Sequence, residues 1–516
     1  MSEENTETLG EPEETDSTPA PVQSIRARVK RASLWTVAAM VGSNLLRLGS
    51  QVFLAHLLFR EHFSTIAVMR VFLVGVEMLS EVGIRGSVVY HKRGNDPTFL
   101  NTAWTLQIMR GVFMWIACCA LAWPASVFFD RPVLLFLLPI GGLEAINNGL
   151  LSVGMFTRQR GMNLRGPVFI EWSGLATSLT VSIVLAFLFR SVFALAIGPV
   201  VGGFVRTGLS HIVFSELKLR PHWEPEAAKA LFRFGKWVFL GTCAAFVAQQ
   251  FLTLFLGKFV FQAIHGVYDR AWIYAASASR PLTMLQNQVM IPLFAEQGRQ
   301  DRKQLGSQVA LVMGRFLPAC LFICICCGLF APAFFGWFFP LDYIDAGNMV
   351  RYISVVLWFM ILQHVPRSAM LSIGNSRGVC LMMVTNALVT LWGVFVGYFF
   401  LGALTGIGGV RGAIIGNAIG NIAGCVVGAI IARRSGFPLG KPMLHYSILF
   451  LALYGFGFKL DNYIHYGPLG LGAGESAFIS TSLLGAPLFL VVLWKLKRKA
   501  PVTQAAPPAK ASGAAA

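Results

Sequence analysis

The chain has 516 residues, of which 55% are hydrophobic and 13% charged, with a formal net charge of +18 at pH 7 and a mean hydropathy of +0.63. Those values exclude a string of ordinary soluble domains and place the chain in the membrane class. Nucleic acid is excluded as the reason for the positive charge, because the basic residues fall in short clusters between apolar runs of about 20 residues, the length that crosses a bilayer.

Residues 1–30 open with Glu3, Glu4, Glu7, Glu11, Glu13, Glu14 and Asp16 among Ser, Thr and Pro. This stretch lacks the basic start of a signal peptide and reads as a disordered cytosolic tail. Beyond it, only helices can span the bilayer as single apolar segments, since each backbone group must be satisfied within its own segment. The apolar runs predict an all-α integral membrane protein with about fourteen transmembrane helices, near 33–58, 62–89, 102–127, 132–156, 167–189, 191–215, 232–256, 262–292, 308–331, 345–373, 379–402, 408–432, 443–460 and 473–496. They divide into an N-terminal six-helix lobe (31–215), an inter-lobe linker (216–231), a second six-helix lobe (232–435), two additional helices (436–500) and a second disordered tail (501–516). Trp237 lies 202 residues after Trp35, and the same offset superposes Arg31 on Arg233 and Ser64 on Gly266. This faint repeat fits two pseudo-symmetric lobes.

Short cytoplasmic loops carry the excess of Lys and Arg. One side holds Arg26, Arg28, Lys30 and Arg31, then Lys92 and Arg93, Arg158, Arg160 and Arg165, Lys218 and Arg220, Arg299, Arg302 and Lys303, Arg433 and Arg434, and Lys495 to Lys499. The opposite side holds little more than Arg60, Arg131, Arg190, Lys258, Arg411 and Lys459. The alternation predicts an even number of helices with both termini cytosolic. All nine cysteines lie in apolar runs, where free Cys behaves as a small hydrophobe, so no disulfides are expected. Cys320 and Cys324 share a helix face, but no His or carboxylate lies near enough in sequence to complete a metal site. In helix twelve, Gly412, Gly416, Gly420, Gly424 and Gly428 recur every four residues, a smooth stripe for close helix packing.

Ionisable groups inside helices carry the functional information, since each costs about 2.5–3.5 kcal/mol at the bilayer centre unless paired or hydrated. On helix two, Arg70, Glu77, Glu81 and Arg85 share one face. Helix one adds Arg47 beside Ser43, Ser50 and Gln51, and helix three adds Gln107 and Arg110. In the second lobe, Gln262, Asp269, Arg280 and Asn287 lie near one face of helix eight, with Arg270 adjacent. Internal salt bridges that hold helices in register are the competing reading, for instance Glu77 or Glu81 with Arg47 or Arg85. As a set, however, the arginines outnumber the carboxylates, and leftover cations inside a membrane need an anionic partner, for which a phosphate is well suited. Glu144, Glu171, His56, His211, His364, Arg206, Arg315, Arg351 and Arg367 read as packing or interface residues. No paired carboxylates, zinc-ligand spacing or activated nucleophile marks an enzyme site.

The stretches RASLWT from Arg31, LLRLGS from Leu45, AHLLFREHFSTIAVM from Ala55, FLVGVEMLSEVGIRGSVV from Phe72 and KRGNDPTFLNTAWTLQIMRGVFMW from Lys92 carry a family resemblance. So, more loosely, does HGVYDRAWIYAASASRPLTMLQNQVMIPLFA from His265. Together they resemble the polysaccharide transporter family, the oligosaccharide flippases of the multidrug/oligosaccharidyl-lipid/polysaccharide exporter superfamily. The resemblance covers most of residues 31–435. It implies a lipid-linked oligosaccharide, carried on polyprenyl pyrophosphate, moved across the bacterial cytoplasmic (inner) membrane by alternating access of two lobes, for capsule, O-antigen or exopolysaccharide. Substrate-facing residues implied by it are Arg47, Glu77, Glu81, Arg85 and Arg110, with Asp269, Arg270 and Arg280 in the second lobe; the charged face of helix two adds Arg70. On this reading the arginines neutralise phosphates, while Glu77 and Glu81 orient them and accept a coupling proton. The protein is expected to work as a monomer, without a cofactor, among membrane lipids, with glycosyltransferases and a polysaccharide polymerase as partners. Two alternatives stay open: an ion-coupled exporter of small amphipathic molecules, which usually carries a carboxylate in helix one that is missing here, and a membrane glycan polymerase or ligase, which needs a larger outer loop.

Overall fold

The computed structural model describes residues 22–80, 96–160, 165–215, 220–224, 235–286, 302–402, 408–437, 439–466 and 472–497. Among the described residues the regular structure is helical, without strands. Its long helices are α1 (Val22–Leu57), α2 (Arg60–Leu79), α3 (Pro97–Phe128), α4 (Leu134–Leu150), α5 (Arg165–Phe189), α6 (Phe193–Val213) and α7 (Gly235–Phe259). They continue as α8 (Gln262–Leu285), α9 (Arg302–Phe338), α10 (Ile344–Ser372), α11 (Ser376–Val396), α12 (Gly409–Arg434), α13 (Gly440–Tyr466) and α14 (Ala473–Lys497). A short helix, Gly154–Arg160, follows α4.

Within the described residues, ten of these helices are long and apolar enough to cross a membrane, and α4 is apolar but only 17 residues long. The remaining three, α1, α2 and α8, carry Arg47, Arg70, Glu77, Asp269, Arg270 and Arg280. Helices this polar are tolerated inside a bundle that shields them from lipid.

The predicted helices and the observed ones correspond one to one, with three informative differences. α1 starts eleven residues earlier than the apolar run, and α9 runs for 37 residues, well beyond the about 20 that a bilayer requires. The expected helix 132–156 is broken after Leu150 because side chains satisfy its terminal carbonyls. Gln107 Nε2 donates to the carbonyls of Asn148 (2.6 Å), Gly149 (3.3 Å) and Leu151 (3.2 Å), and the backbone N–H of Ser152 donates to Ser210 Oγ at 3.1 Å.

The packing repeats itself. In the first lobe α1 packs on α5, α2 on α3 and α4, α3 on α4, α4 on α6, and α5 on α6. Moving each label up by six gives pairs that are also packed: α7 on α11, α8 on α9 and α10, α9 on α10, α10 on α12, and α11 on α12. α13 and α14 pack against α9 and each other. Both α5–α6 and α11–α12 are seams of small residues. A Cβ on Gly202 would sit 2.4 Å from the Gly174 carbonyl, and one on Gly416 would sit 1.8 Å from that of Gly393. The glycine stripe of helix twelve is therefore a packing device.

The lobes meet where α2 packs on α7 and α8, and α1 on α8. Several polar bonds across this seam lie at the end of the bundle opposite the start of α1. Ser64 Oγ and His265 Nδ1 are 2.8 Å apart, Arg60 and Asp342 3.8 Å, and Lys258 and Asp130 2.7 Å, while Arg131 Nη2 donates to the Gly257 carbonyl at 3.1 Å. A Cβ on Gly266 would fall 2.0 Å from the Arg60 carbonyl, so α2 and α8 nearly touch there. Ser64 and the Gly266 region, superposed by the 202-residue offset, thus face each other across the seam, as equivalent positions on a pseudo-twofold axis do. The second lobe fills its interior with Trp358, Phe335 and Tyr343, and Phe450 of α13 stacks on Trp358. The first lobe keeps a cavity.

Candidate functional site: a basic cavity beside the lobe seam

The cavity holds about 450 Å³ and is walled by α1, α2, α4, α5, α6 and α8. Helical spacing explains which side chains reach it. On α1, Arg47 and Gln51 are four residues apart; on α8, Arg270, Ile273, Ser277 and Arg280 follow one stripe. On α4, Glu144, Asn147 and Asn148 take positions i, i+3 and i+4, and on α6, Pro199, Gly202, Gly203 and Arg206 do the same. Gly174, Gly202 and Gly203 leave the volume that side chains would otherwise fill.

The charges fall into two groups. Asp269, 4% exposed, receives Arg70 Nη1 at 3.5 Å and is also bonded by Arg270. Arg270 donates in addition to Gln51 and lies over the Phe63 ring at 4.1 Å. One buried carboxylate thereby ties α1, α2 and α8 together across the lobe seam. Arg206 pairs with Glu171 at 3.5 Å and donates to Asn148. Arg47, Arg280 and Glu144 also line the cavity but make no hydrogen bond or contact ion pair with described residues. Arg280 lies in the repulsive field of Arg47 and Arg70. Five lining arginines against Glu144, Glu171 and Asp269 leave a net charge of +2.

Of the residues predicted from sequence, Arg47, Arg70, Arg270 and Arg280 converge on this cavity, and Asp269 sits behind two of them. Arg110 does not reach it. Its Nε donates to Ser80 Oγ at 3.2 Å and its Nη2 to the Glu77 carbonyl at 3.1 Å, bracing α3 against α2. Glu77 is exposed and outside the cavity lining, and Glu81 and Arg85 lie outside the described residues. Ser43 and Ser50 bond to carbonyls of their own helix, at Met40 and Arg47.

Glu144, Glu171 and Arg206, read from sequence as packing residues, line the cavity instead. The signal for Glu144 was the i, i+3, i+4 cluster it forms with Asn147 and Asn148 on the expected helix 132–156. The packing reading does hold for Arg351, which pairs with Asp461 to dock α13 while its carbonyl accepts from Tyr454 at 2.8 Å.

The sequence of residues 53–339 matches the family model described as polysaccharide biosynthesis protein. The chain belongs to the polysaccharide biosynthesis protein family. No curated protein matches it in sequence. Among solved structures, this family member is similar to the lipid II flippase MurJ in an inward closed conformation, at 14% identity over 90% of this chain and 99% of that one, with a TM-score of 0.64. It is also similar to a multidrug resistance MATE family transporter of the MOP superfamily. The inward-facing form is 14% identical over 77% of this chain and 96% of that one, with a TM-score of 0.57. The outward-facing form is 15% identical over 80% and 96%, with a TM-score of 0.53. These likenesses show that the chain shares their fold.

Proposed function

We propose that the protein is a flippase that moves a lipid-linked oligosaccharide, carried on polyprenyl pyrophosphate, across the cytoplasmic membrane for surface polysaccharide assembly, with both termini cytosolic. The observation that carries this reading is the pair Arg47 and Arg280, two arginines that face a cavity within the bundle without a contact partner among the described residues. Such cations are costly at membrane depth unless an anion or water meets them. A pyrophosphate diester carries two negative charges, which match the net +2 of the cavity, and guanidinium suits the forked geometry of its oxygens. The same surplus repels small cations, which weakens the reading as a cation exporter. Nothing in the cavity resembles an activated nucleophile, so the work assigned to these residues is binding and release.

The test is outer-leaflet accessibility of a lipid-linked oligosaccharide, read with a membrane-impermeant probe in cells whose only flippase is wild type or a variant. Arg47→Ala and Arg280→Ala are expected to lower outer-leaflet glycan at least tenfold and to accumulate the inner-leaflet precursor, with protein levels in the membrane maintained. Normal outer-leaflet glycan in both variants would remove the pyrophosphate role.

A further inference from the structure

The cavity has two chemically different walls. Arg47, Arg70, Arg270 and Arg280 come from α1, α2 and α8, whereas the wall built by α4, α5 and α6 is rich in hydrogen-bond acceptors. There, Arg206 is already engaged by Glu171 and Asn148, so its charge is compensated. Glu144 has no hydrogen bond or contact ion pair with described residues. Asn147 is 1% exposed; its Nδ2 donates to the Val200 carbonyl at 3.0 Å, and its Oδ1 is buried without a donor among the described residues. Ser178 and Ser182 of α5 extend the same surface.

We propose, resting on the pyrophosphate reading above, that this acceptor wall is a sugar subsite that selects a neutral, hydroxyl-rich sugar next to the pyrophosphate and rejects an acidic one. Sugar hydroxyls and N-acetyl N–H groups are donors, and a carboxylate accepting from a hydroxyl makes a strong charge-assisted bond. A uronic acid instead sets its carboxylate beside Glu144 with no free cation on that wall, and such like-charge placement is how a site rejects a competitor. About 450 Å³ lies at the low end of the volumes that enclose a drug-sized ligand. The subsite therefore reads the sugar nearest the phosphate and leaves the rest of the glycan unread.

The experiment is equilibrium binding of three probes to the purified full-length protein in lipid nanodiscs: farnesyl pyrophosphate, the same lipid pyrophosphate bearing N-acetylglucosamine, and the same bearing glucuronic acid. The expected order is a neutral-sugar probe at least tenfold tighter than the bare lipid, with the uronate probe no tighter than the bare lipid. Glu144→Gln should bring the uronate probe to within threefold of the neutral one, and Ser178→Ala should narrow the gap between neutral and bare probes. If the bare lipid binds in an Arg280-dependent way but the neutral sugar leaves the affinity unchanged, or the uronate binds as tightly as the neutral sugar, the subsite is wrong while the pyrophosphate reading survives. If the bare lipid does not bind at all, both fail together.

Discussion

Asp269 shows why burial decides the worth of an ion pair here. Its side chain is 5% exposed and serves both Arg70 and Arg270, whereas Asp342, which pairs with Arg60, is 67% exposed. Removing one partner of a buried pair leaves an uncompensated charge and costs about 3–5 kcal/mol. Exposed pairs are worth about 0–1 kcal/mol, because water screens them and their side chains lose entropy. Asp269→Asn is therefore expected to lower the thermal unfolding temperature of the purified protein by many degrees, and Asp342→Asn to leave it nearly unchanged. Equal shifts in the two variants would mean that Asp269 does not hold the lobe seam. The same contrast limits what residue patterns alone reveal. Arg47 and Arg110 look alike in sequence, yet one faces a cavity and the other braces two helices, and only the rotation of α1 and α3 in the bundle separates them.

At the scale of helices, the small-residue seams fix that rotation. Gly416 approaches the Gly393 carbonyl so closely that any side chain must push α12 from α11, while nothing lies within 4 Å of a Cβ on Gly336 in α9. Gly416→Ala should therefore reduce the yield of folded protein and its unfolding temperature, whereas Gly336→Ala should be neutral or slightly stabilising through its better helix propensity. Size-exclusion profiles and thermal melts of the two variants decide the point; a well-folded Gly416→Ala protein of normal stability would show that the seam relaxes freely. This seam was legible in the sequence because a four-residue glycine period has a single structural use in an apolar helix. Most of the helix count was legible because hydropathy reports the length of a bilayer, which ten of the described helices meet directly. The α4 wall was not, because a 17-residue helix ending in side-chain caps from α3 and α6 depends on contacts that are distant in sequence. The acid pattern of Glu144 and Glu171 gained its meaning only once α4, α5 and α6 enclosed a common space.

For the whole molecule, the distribution of cross-lobe bonds has a mechanical consequence. Arg60–Asp342, Lys258–Asp130 and the Arg131 bond to Gly257 all lie at the end opposite the start of α1, where with the Asp269 network they fasten the lobes. Arg131 is 3% exposed, two of its nitrogens lack partners among the described residues, and burial lowers its guanidinium to about 10. It stays charged at neutral pH, and its hydration on opening offsets part of the bonds that opening breaks. The two exposed ion pairs and the under-satisfied arginine release easily, so the buried Asp269 network beside them sets most of the cost of separating the lobes. If transport requires this end to open, tethering it must stop transport. Cysteines introduced as Asp130→Cys and Lys258→Cys, joined by a bifunctional methanethiosulfonate, are expected to abolish glycan translocation in proteoliposomes. Reduction of the tether should restore it, and each single-cysteine protein treated in the same way should remain active. Full transport by the tethered protein would mean that the substrate crosses without separation of the lobes at this end, and a path confined to the first lobe would have to replace rocking of the two lobes.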